Sequence, residues 1–136
     1  MKKALVIAAL SAALPITVYA AHAGTYKLHN FKIMNTKHQK VFDCSQLSDL
    51  TVTANKNDRK QYINKHYYLK DAKWWKNKGK KGLTRYGWKA KAVIIGENGK
   101  KYHTMTYGYE VGMKGARTAF GSFANDYCRG FYKVTW

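Results

Sequence analysis

The sequence predicts a small single α+β domain: an antiparallel sheet carrying one or two helices and tied by one disulfide. Three observations point to it. Two alternating runs flank Asn98-Gly99, apolar residues recur at three- and four-residue spacing between Met113 and Tyr127, and two cysteines follow an export signal.

The signal spans residues 1–23. Lys2 and Lys3 form its basic start, Ala4 to Leu14 is apolar, and Ala20 and Ala23 offer cleavage points, Ala23 with the better small-x-small pattern. The apolar run falls short of the roughly 20 residues that a helical span needs, so an integral membrane protein is not expected. Residues 24–136 are then one basic domain, periplasmic or secreted, and the lysine-led signal points to a bacterium. In such an oxidising compartment Cys44 and Cys128 are expected to pair, linking the front of the domain to its last turn.

Tyr26 to Ile33 reads as a first strand. Tyr26 and Leu28 share one parity and Phe31 and Ile33 the other, which calls for a bulge near His29-Asn30. A short strand is expected at Leu50 to Thr53. Asp58 ahead of Tyr62, Ile63, His66, Tyr67 and Leu69 suggests a short helix at about 58–70, and Lys76 to Gly82, with two glycines and no apolar residue, is a basic loop.

The hairpin is the strongest signal. If Asn98-Gly99 forms a two-residue turn, Ile94 opposes His103, Ala92 opposes Met105, Ala90 opposes Tyr107 and Trp88 opposes Tyr109, all on one inner face. A helix follows over 113–127, with Met113, Ala116, Phe120, Phe123, Ala124 and Tyr127 as its buried stripe; Gly115 and Gly121 each weaken it by roughly 1 kcal/mol relative to Ala. Phe131 to Trp136 is a terminal strand. Its alternation of Tyr132, Val134 and Trp136 resembles the last strand of an outer-membrane barrel over six residues, but lysines at exposed strand positions would be costly against lipid.

Charge narrows the functional classes. The chain carries a formal +18, or +16 without Lys2 and Lys3, and residues 56–101 hold a net +12 of it against +2 on either side. That clustering favours an anionic partner, since mere solubility does not require it. Lys73, Trp75, Lys76, Lys78, Lys80, Lys81 and Arg85 are the candidate binding residues, with cations for phosphate or sulfate and a flat ring for stacking; Trp88 belongs to the core. The expected function is noncatalytic recognition of a polyanion such as nucleic acid, envelope phosphate, a sulfated glycan or an acidic protein.

Catalysis has thin support. His103, Glu110 and Arg117 supply the residue types of a small secreted nuclease or toxin, with His103 as acid or base, but the expected register turns His103 inward. A third reading is an inhibitor or accessory subunit that docks on an acidic protein. No metal-ligand spacing, phosphate loop or cofactor motif is present, and the DNA-reading motifs are absent.

Overall fold

The computed structural model describes residues 23–34, 41–55 and 59–136. Apart from Ala23, the expected export signal lies outside them. Within them the chain forms eight strands: β1 (Gly24–Ile33), β2 (Thr51–Ala54), β3 (Lys60–Asn64), β4 (Tyr67–Asn77), β5 (Leu83–Ile95), β6 (Lys101–Met113), β7 (Thr118–Ala124) and β8 (Cys128–Thr135).

Every pairing is antiparallel, in the order β2-β1-β8-β7-β6-β5-β4-β3. Sequence neighbours are therefore spatial neighbours, as in an up-and-down barrel. The two end strands of that order approach each other, and Gln61 Nε2 donates to the Thr53 carbonyl at 3.3 Å across the seam, so the barrel is nearly closed. The α+β expectation is thus corrected to an all-antiparallel barrel, whose one helical piece among the described residues is the 3-10 turn Cys44–Leu47.

Both expected helices are hairpins. Of the expected helix at 58–70, residues 59–70 are described and fold into β3, a turn at Lys65-His66, and the start of β4, with the Tyr62 ring tilted against Tyr68 at 4.8 Å between ring centres. Over 113–127 the chain turns and runs out as β7. Gly115 there has a φ of +85°, which a right-handed helix cannot use, while Phe120 and Met113 of the supposed buried stripe are exposed. Spacing at three and four coincided with a turn followed by a half-buried strand.

The hairpin at 88–109 exists, but its register is one residue from the expected one. Ile94 opposes Tyr102, Ala92 opposes Thr104, Ala90 opposes Thr106 and Trp88 opposes Gly108. The loop has three residues, Glu97, Asn98 and Gly99. Gly99 alone has a positive φ, its N–H bonds to the Gly96 carbonyl, and the Gly96 N–H bonds to the Lys100 carbonyl at 2.9 Å. This is a tight turn closed by a left-handed glycine, the usual three-residue alternative to the paired-positive-φ turn. The added loop residue turns β6 over, so His103, Met105, Tyr107 and Tyr109 point outward.

Other local readings held. β1 has its register shift between His29 and Lys32, with Asn30 at φ +55°. The short strand at β2 and the terminal strand at β8 form where expected. Cys44 and Cys128 are joined, 5.6 Å apart at Cα and both buried, in keeping with an oxidising compartment.

The barrel interior is apolar and aromatic. Trp74 and Trp88 stack at 5.5 Å, and Leu28, Leu69, Phe123 and Tyr132 are among the residues that line about 50 Å³ of space beside them. At one end Asn125 donates to the hydroxyls of Tyr67 and Thr106 and accepts from the Tyr127 and Cys128 N–H groups. Glu110 is fully buried and accepts from the Tyr132 hydroxyl at 2.9 Å; that hydroxyl in turn accepts from Trp88 Nε1 at 3.1 Å. Burial pushes the Glu110 carboxyl up to about 7.

No helix among the described residues is long and apolar enough to cross a membrane. The outward face of the strands is rich in lysine, and hydrocarbon against it would cost about 2–4 kcal/mol per cation near a bilayer midplane.

Candidate anion-binding face

Alternation turns one half of each strand inward, and what remains outside falls into rows that run across the sheet. The pairings of β4 through β8 and β1 define three of them. The upper row is Lys73, Lys89, Tyr107, Ala124, Arg129 and Lys32. The middle row is Trp75, Gly87, Tyr109, Ser122, Phe131 and His29. The lower row is Asn77, Arg85, Val111, Phe120, Lys133 and Lys27.

Cations oppose cations at five cross-strand positions on the outer face: Lys60 with Lys70, Lys70 with Lys91, Lys73 with Lys89, Lys27 with Lys133, and Lys32 with Arg129. Like charges directly opposite each other destabilise a sheet. Asp71 offsets part of this, with its carboxylate 3.5 Å from Lys91 Nζ. Nothing in the barrel's packing requires the others, since an outward strand position accepts almost any polar residue.

Aromatic rings stand among these charges. The indole of Trp75 lies flat on β5, held there because Gly87 has no side chain: a Cβ at that position would come within 2.4 Å of the ring. Trp75 is 43% exposed, Phe131 50% and Tyr107 60%. Arg85 Nε donates to the Tyr109 hydroxyl at 2.5 Å, Lys133 Nζ sits 5.9 Å from the Phe120 ring centre, and His29 stacks on Phe131 at 5.8 Å. Between β6 and β8 the small residues Ser122 and Ala124 floor a groove of about 680 Å³, walled by Tyr107 and Tyr109 on one side and Arg129 and Phe131 on the other.

Of the binding residues expected from sequence, Lys73, Trp75 and Arg85 occupy the outer face on neighbouring strands. Lys78, Lys80 and Lys81 lie exposed in the β4–β5 connection, on the rim that adjoins the lower row, and Lys76 sits at the same rim on the opposite parity, across from Tyr86. Trp88 lines the interior, as expected of a core residue.

Sequence reasoning missed Tyr107, Tyr109, Arg129, Phe131 and Lys133. The register error hid the two tyrosines. Arg129, Phe131 and Lys133 were readable, because placing Tyr132 and Val134 inward sends those three outward.

The three residues considered for catalysis are not brought together. His103 is exposed on the outer face opposite Val93, Glu110 is buried inside, and they are seven positions apart on β6, about 23 Å along the strand. Arg117 lies in the β6–β7 turn, where its Nε donates to the Trp136 carbonyl at 2.7 Å. Among the described residues no cluster of histidine, cysteine or carboxylate side chains could hold a metal ion. Comparison with known proteins finds no matching family model, no matching curated protein and no matching solved structure.

Proposed function

We propose that this is an exported, noncatalytic binding protein, periplasmic or secreted, whose outer barrel face receives a polyanionic partner. The observation that carries the reading is the set of facing cation pairs. Repulsion across the strands weakens the free protein, and an anion that bridges each pair relieves it. The rim lysines Lys78, Lys80 and Lys81 extend the same field beyond the lower row, so an approaching chain of negative charge is attracted before it docks.

The test is the affinity for polyanions as a function of salt. The logarithm of affinity is expected to fall linearly with the logarithm of salt concentration as counterions are released. Charge reversal at Lys73 and Lys89 together is expected to weaken binding by roughly tenfold or more and to flatten that slope. An unchanged slope in the double variant refutes the assigned face.

A further inference from the structure

Resting on the polyanion reading, we infer that the face is built for single-stranded nucleic acid, with bases on its ring row and in the β6–β8 groove and phosphates on the adjoining cations.

The middle row alternates ring and small residue: Trp75, Gly87, Tyr109, Ser122, Phe131. The ring-bearing positions are therefore two strands apart, about 10 Å; the Trp75 indole itself covers Gly87, and the open slot lies over Ser122, between Tyr109 and Phe131. The upper row runs parallel to it, two residues away along the strands or about 7 Å, and carries Lys73, Lys89, Arg129 and Lys32. One track offers π faces and the next offers positive charge. A single strand has the same two tracks, because its unstacked bases hang to one side of a phosphate backbone.

Other polyanions match only part of this. A ring-free chain of phosphates would use the cation row and leave the aromatic row wet. A duplex keeps its base faces stacked away from Tyr107 and Phe131. A sulfated glycan would seat its sulfates on the cation row, but its saturated rings have no π face to stack on Tyr107 and Phe131. The groove's side-chain chemistry consists of phenol and phenyl rings, one guanidinium, one ammonium, and the short polar groups of Ser122 and Asn30.

Fluorescence anisotropy with a labelled mixed-sequence oligonucleotide, single-stranded DNA and RNA in turn, tests the assignment. Inorganic polyphosphate of matched charge, the corresponding duplex and a sulfated polysaccharide serve as competitors. The single strand is expected to bind most tightly. Exchanging the two most exposed rings of the groove, Tyr107→Leu with Phe131→Leu, is expected to weaken it by roughly tenfold or more while leaving polyphosphate binding unchanged. The ring-keeping exchange Phe131→Tyr should retain wild-type affinity, which separates lost stacking from a disturbed fold. If polyphosphate, duplex or polysaccharide competes as well as the single strand, or the leucine variant binds it undiminished, the inference is overturned and the polyanion reading stands. If none of the four anions binds, both fail.

Discussion

Replacing Glu110 by glutamine should abolish a pH dependence that the buried carboxylate imposes on the whole domain. The side chain is enclosed beside Tyr132 and Trp88, and burial raises its carboxyl from 4.5 to about 7. Between those two values the folded chain retains a proton that the unfolded chain has released, so stability falls as pH rises through the window. The full loss, reached above pH 7, is about 3 kcal/mol, and below pH 4.5 there is none because both states are protonated. Glutamine keeps an oxygen to accept from the Tyr132 hydroxyl and carries no charge.

Urea unfolding of wild type and Glu110→Gln at several pH values between 4 and 8.5 measures the effect. The other carboxylates cancel in the difference between the two proteins. The variant is expected to match wild type at pH 4 and to exceed it by about 3 kcal/mol at pH 8.5. Parallel stability curves across the range would refute the claim that this carboxyl is held protonated by its surroundings.

Two further outcomes concern the scaffold. Removing the disulfide, as Cys44→Ala with Cys128→Ala, releases a loop closed over 84 positions and should lower the unfolding free energy by about 4–5 kcal/mol on the chain-entropy model; denaturant unfolding of the variant against wild type measures it, and a loss under about 1 kcal/mol contradicts the expectation. Asn125→Ala removes one partner from each of two buried hydroxyls, which keep each other, and the acceptor from two backbone N–H groups, and a loss of about 2–4 kcal/mol is expected from a shifted urea midpoint at unchanged slope.

Local chemistry made much of the chain readable. The bulge in β1 follows from apolar residues that change parity at His29-Asn30, and the Cys44–Cys128 bridge follows from there being two thiols behind an expected export signal. The expectation of a cationic central region survives as the facing lysines of β3, β4 and β5. Composition carries such features because each depends on residue identity or on a few neighbours.

The nearly closed barrel, the orientation of β6 and the assembly of the outer rows depended on tertiary structure. A turn of two or three residues around Asn98-Gly99 is settled by small local energies, yet the choice inverts every side chain of the returning strand. In the segment ending at Tyr127, three- and four-residue spacing fits a helix stripe and also fits a turn leading into a strand, and only pairing with β6 and β8 decides between them. Tyr109, Ser122 and Phe131 are separated along the chain and become one row because hydrogen-bonded registers, which act between strands, set them side by side.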